Sequence, residues 1–80
     1  MRDWAREVPR LSPVQRLAAN VRAARAERGL TQEQVANAAG LSLSDVGRVE
    51  RGARDPGIQV LAKLAKGLGV TVEDLVRGIR

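Results

Sequence analysis

Apolar residues recur along this chain at helical spacing and nowhere alternate as a half-buried strand would, so every element the pattern predicts is a helix. Trp4, Val8 and Leu11 fall at i, i+4, i+7, a one-sided stripe interrupted by Pro9. Residues 1–11 therefore read as an N-terminal arm or accessory turn, and residues 12–80 as one domain. From Ser12 the signals sharpen. Ser12-Pro13-Val14-Gln15 combines a cap, a proline at the first helical position and a glutamine able to reach back to the cap. Val14, Leu17, Val21 and Ala24 give that first helix its apolar face, and Gly29 ends it.

Thr31 opens a second helix, with Gln34 at the reciprocal capping position and Leu30 and Val35 as a hydrophobic staple across the start. Gly40 stops it where a left-handed residue is needed. Ser42 caps a third helix, Leu41 and Val46 repeat the staple, and Gly52 closes it. Two short helices joined by Ala39-Gly40-Leu41-Ser42 make a helix-turn-helix, the shape that can set its second helix in a DNA major groove. Pro56-Gly57 marks a loop. A fourth helix over 58–68 then carries Leu61, Leu64, Ala65 and Leu68 on one side, with Gly67 and Gly69 weakening its end. Thr71 caps a fifth, whose inward stripe is Val72, Leu75, Val76 and Ile79. The expected fold is all-α: five short helices around one small aliphatic core.

Composition narrows the function. The chain has neither cysteine nor histidine, which excludes disulfides, Cys/His zinc sites and thiol or imidazole catalysis, and no metal or other cofactor is expected. Its carboxylates sit in caps and loops, and five short helices leave no room for a substrate cavity, so an enzyme is not expected. No apolar run reaches the length of a bilayer, and the N-terminus lacks the apolar stretch of a secretory signal; a soluble, cytoplasmic chain without a membrane partner follows as the expectation. A net charge of +5 on 80 residues suits a polyanionic partner. Every basic residue but Lys63 and Lys66 is arginine, a bias that a GC-rich coding sequence also produces. With Trp4 the sole aromatic, single-strand binding by base stacking lacks its platforms, and duplex DNA is the nucleic acid expected.

These residues resemble the Cro/cI-type, or xenobiotic-response-element-type, helix-turn-helix transcriptional regulator family. The resemblance rests on Thr31-Gln32, the small Ala36, Gly40 in the turn, Val46 and Val49, and Glu50-Arg51-Gly52. It extends upstream through Arg25-Ala26-Glu27-Arg28-Gly29-Leu30 and downstream through Asp55-Pro56, Leu61 to Ala65 and Leu68-Gly69-Val70, covering residues 14–79. It implies the five-helix lambda-repressor-like fold and a sequence-specific regulator, a repressor or autoregulator, that binds double-stranded DNA as a homodimer. Ala36 has its own physical reason to be small: the third helix crosses the second there, and a larger side chain would force them apart at about 1–3 kcal/mol.

By the resemblance, Gln32 binds a phosphate beside the positive start of the second helix. Leu43, Ser44, Gly47 and Arg48 stand where base edges are read, with Arg48 suited to a bidentate contact with guanine and Leu43 to a thymine methyl. Arg51 and Arg54 fall to backbone phosphate. Two departures thin the base-reading set: Leu43 replaces the usual polar residue, and Gly47 offers no side chain and costs about 1 kcal/mol of helix propensity. Arg22 and Arg28 read as a solvated face, and Asp45 as stabilising the start of its helix or, if it points into the groove, as repelling phosphate or accepting from a cytosine amine. Glu50 opposes the dipole of the helix it ends, so it needs a partner; the family supplies Arg25. Val72, Val76 and Ile79, at the core's edge, are the expected dimer interface. The rival reading is a protein-interaction module of the same fold, of antitoxin, coactivator or scaffold type, which an apolar Leu43 and bare Gly47 would suit. No small-molecule ligand is expected.

Overall fold

Local capping chemistry sets where each helix begins. In the computed structural model, which describes residues 10–79, Ser12 Oγ accepts from the Gln15 N–H at 3.2 Å, and Gln15 Oε1 accepts from the Ser12 N–H at 2.9 Å. This box starts α1, Pro13–Glu27. Thr31 and Gln34 make the same reciprocal pair at 3.1 and 2.8 Å and start α2, Gln32–Ala39. Ser42 Oγ takes the Asp45 N–H at 3.0 Å to start α3, Leu43–Glu50. The next helix, α4 (Ile58–Leu68), begins from Gly57 with no side-chain cap, and Thr71 with Asp74 caps α5, Val72–Leu75. Hydrogen bonds from Thr71 hold the Asp74 carboxyl below its ordinary pKa, with the Arg77 and Arg28 charges adding to the shift. Trp4 and Val8 of the expected arm lie outside the described residues; Leu11 is exposed.

The turn between α2 and α3 requires a left-handed residue. Gly40 supplies it at φ +69°, which lets the Leu41 N–H reach back to the Ala36 carbonyl at 2.9 Å. The chain thus leaves α2 and enters α3 within three residues, and the apolar faces of both helices turn to one core. Val21 of α1, Val35 of α2, Val46 and Val49 of α3, Leu64 and Leu68 of α4 and Leu75 of α5 fill it. No strand occurs among the described residues.

The broadest helix contact is between α2 and α4, and Gly67 makes it possible. A Cβ at Gly67 would come within 2.8 Å of Ala39 Cβ and 2.9 Å of its backbone nitrogen. Read from sequence, this glycine only weakens the end of α4; in the fold it is the notch that α2 packs into.

The fifth helix differs most from expectation. The α-helix ends at Leu75, well short of Ile79, and Gly78 stands at φ +83°. Asn20 of α1 explains part of this: its amide donates to the Leu75 and Arg77 carbonyls at 2.8 and 2.9 Å, satisfying groups that a longer helix would have bonded internally. Val72 and Ile79 pack half-buried against the core. Most of the apolar stripe assigned to an interface is thus already used inside the subunit, and only Val76 stands outside that packing. Among the described residues the most exposed large apolar side chain is Ile58, at 69 %, at the far end of α4 from α5.

Candidate nucleic-acid interface

With Val46 and Val49 directed into the core, α3 presents Leu43, Ser44 and Arg48 outward. Leu43 is half-exposed, at 49 %, and Arg48 is similarly open. Gly47 departs from the expectation that it faces base edges: it is buried. The Arg51 guanidinium lies across it, and a Cβ at Gly47 would meet Arg51 Nη1 at 3.0 Å. The missing side chain is therefore a seat for Arg51, four residues on, rather than part of the reading surface.

Behind this face a buried carboxylate organises the helix ends. Glu50 is 3 % exposed, and Arg25 of α1 donates to it from Nε to Oε2 at 2.7 Å and from Nη2 to Oε1 at 3.0 Å, a bidentate pair joining α1 to α3. The same guanidinium donates to the Leu30 carbonyl at 3.0 Å, just before α2. Glu50 raises the Arg25 pKa above its already high value, chiefly through the side-chain hydrogen bond, so the guanidinium stays charged. Gln32 joins the cluster: its Nε2 donates to Glu50 Oε1 at 3.1 Å. One amide proton of Gln32 is thus committed inward, which fixes the side chain at the first turn of α2 and leaves the second proton for an outside acceptor.

Arg22 is exposed, as the sequence suggests, yet it is not idle. Its Nη1 donates to the Glu50 carbonyl and caps the C-terminal end of α3. Arg22 and Arg25 are one helical turn apart on one face of α1, a spacing that was available in the sequence. Arg28 donates, at the long limit of 3.4 Å, to the Gly69 carbonyl after α4.

Arg54 also differs from a free phosphate ligand. Its Nη1 donates to Asp45 Oδ1 at 2.8 Å, folding the loop after α3 back onto the first turn of α3. Arg48 Nη1 stands 3.5 Å from the same oxygen. Asp45 therefore does more than stabilise its helix start; it gathers two cations on the outer face. Arg51 makes no ion pair among the described residues. The structure thus gathers Arg48 and Arg54 on Asp45 at the start of α3, and joins Gln32 to Glu50 at its end, with Arg51 over Gly47 between them. It places Val72, Val76 and Ile79 on other elements of the fold.

A family model described as Helix-turn-helix matches residues 21–75, more than half of the chain. The chain belongs to the Cro/cI-type helix-turn-helix family. It is 38 % identical over 64 residues to the HTH-type transcriptional regulator DdrOP3 of Deinococcus deserti, covering 80 % of this chain and 50 % of that protein. It is 39 % identical over 56 residues to the cryptic phage CTXphi transcriptional repressor RstR of Vibrio cholerae, covering 70 % and 50 %. The chain thus spans about half the length of each of these two relatives. Among solved structures it resembles the restriction-modification controller protein C.AhdI from Aeromonas hydrophila, with a TM-score of 0.75 and 35 % identity over 78 % of this chain and 94 % of that one. Among the described residues, the helix-turn-helix protein has no cluster of potential metal ligands and no helix long and apolar enough to cross a membrane.

Proposed function

We propose that this chain is a sequence-specific regulator that binds duplex DNA, enters the major groove with α3 and acts as a repressor or autoregulator in the cytoplasm of a bacterium. The observation that carries the reading is the outer face of α3: Ser44 and Arg48 project from a helix whose opposite side is locked into the core, with arginines at its end and in the next loop. Ser44 and Arg48 read base edges, with Leu43 against a thymine methyl. Gln32 offers its free amide proton, and Arg51 its guanidinium, to flanking phosphates. Membership of a family of transcriptional regulators, and likeness to a named repressor and a named controller protein, support the same assignment.

Selection from a randomised duplex library tests it. A consensus sequence should emerge, and binding to it should weaken steeply with salt. Arg51→Ala should weaken binding equally on all duplexes and reduce the salt slope by about one, whereas Arg48→Ala should relax discrimination at a single base pair by about 1–3 kcal/mol. Failure to enrich any sequence, with binding indifferent to salt, would favour the protein-interaction reading that the exposed Leu43 suits.

The regulator works as a homodimer, because one short helix reads too few bases for useful specificity. Two copies place their α3 helices about 34 Å apart on successive major grooves of a near-palindromic site. Val76, flanked by the half-buried Val72 and Ile79, is the centre of the proposed interface. Val76→Asp should convert the dimer to a monomer in sedimentation, with the fold intact. If Ile58→Asp does so instead and Val76→Asp does not, the interface lies at the start of α4.

A further inference from the structure

Among the described residues, Asp45 is the one carboxylate whose contacts lie wholly on the proposed DNA-facing surface, and the function above leaves it without a role. It sits in the first turn of α3, about a quarter exposed, with a single oxygen serving Arg54 Nη1 at 2.8 Å and Arg48 Nη1 at 3.5 Å. These are two of the cations that the sequence assigns to DNA, and the atoms they offer Asp45 are those they would offer a phosphate oxygen. Its own N–H is taken by Ser42 Oγ, so the backbone at this position is fixed by the cap and not by the carboxylate. Exposed ion pairs of this kind contribute little to folding. Their placement matters for what they compete with.

We infer that Asp45 is a specificity-determining residue that acts as an internal phosphate substitute: it holds Arg54 and Arg48 back from the backbone of any duplex on which α3 is not fully seated. An arginine that must leave one anion to reach another gains little. It also releases no additional counterion until the exchange is complete, and counterion release drives non-specific association. The carboxylate itself, facing the duplex, is repelled by phosphate. On a correct site the exchange becomes favourable, because the seated helix brings both guanidiniums to their DNA partners and leaves the carboxylate free to accept from a cytosine amine in the major groove. Asp45 therefore penalises wrong sequences more than right ones. This rests on the DNA-binding reading given above.

The test is fluorescence anisotropy with two labelled duplexes, one of mixed sequence and one carrying the selected consensus, for the wild type and for Asp45→Asn, across a salt series. Asp45→Asn should bind the mixed duplex about tenfold more tightly, with a salt slope steeper by about one to two as one or two further phosphates are engaged. Its gain on the consensus duplex should be smaller, so the affinity ratio between the two duplexes falls. Arg54→Ala should leave the mixed-duplex slope unchanged in the wild type and lower it by about one in the Asp45→Asn background. Thermal melts of all variants should match the wild type, which separates this role from a structural one. Equal gains on both duplexes, or an unchanged affinity and slope for Asp45→Asn, would overturn the inference while leaving the DNA-binding reading standing. If the wild type binds neither duplex, that reading fails and the inference fails with it.

Discussion

Arg25→Met should destabilise the protein by about 3–5 kcal/mol, the cost of leaving a buried charge without its partner. Glu50 is 3 % exposed, and both of its oxygens accept from Arg25. With the guanidinium gone, Gln32 is the remaining side-chain donor, and it reaches only Oε1. A domain of this size has about 4–12 kcal/mol in total, so the variant should lose a large share of its stability. Glu50→Gln should cost less, because Arg25 is a quarter exposed and can find water where Glu50 cannot. Replacing both residues with methionine should recover much of the loss, since an apolar pair of similar volume often equals or exceeds a buried ion pair. Urea unfolding followed by circular dichroism checks the series. A loss below about 1 kcal/mol for Arg25→Met would show that Glu50 is solvated in solution.

Gly67→Ala should destabilise by about 1–2 kcal/mol, against the sign that helix propensity predicts. In an exposed helix this change gains about 1 kcal/mol. Here the new Cβ would stand 2.8 Å from Ala39 Cβ and 2.9 Å from its backbone nitrogen. Neither atom belongs to a flexible side chain, so α2 and α4 must separate along their broadest contact, an overpacking cost of about 1–3 kcal/mol that exceeds the propensity gain. Gly67→Ala combined with Ala39→Gly removes the Cβ–Cβ clash and should recover part of the loss. A Gly67→Ala protein more stable than the wild type would mean that the helices separate without cost.

What could be read from the sequence was what neighbouring residues decide among themselves. Ser12 with Gln15 and Thr31 with Gln34 form boxes because both partners lie within one turn, and Gly40 takes the left-handed turn because no other residue does so cheaply. The apolar spacings of α1 to α4 fixed their inner faces for the same local reason. What stayed hidden depends on residues far apart in the chain. The early end of α5 reflects Asn20, on the first helix, taking carbonyls at Leu75 and Arg77. Gly67 reads as a weak helix position until Ala39 is seen against it. The candidate site divides along the same line. The outward placement of Leu43, Ser44 and Arg48 follows from the period of α3, whereas the fold of Arg51 over Gly47 and the capture of Arg54 by Asp45 are side-chain choices that spacing does not determine.

On the proposed function, α3 and its flanks are the surface that meets duplex DNA. Titrating the isotopically labelled protein with the selected duplex and following backbone amide shifts by NMR addresses it directly. The largest changes should fall at the start of α2, along the outer residues of α3 and in the loop through Arg54, with α5 perturbed only if dimer formation is coupled to binding. Shifts centred instead on Ile58 and the outer side of α4, with α3 unmoved, would contradict it.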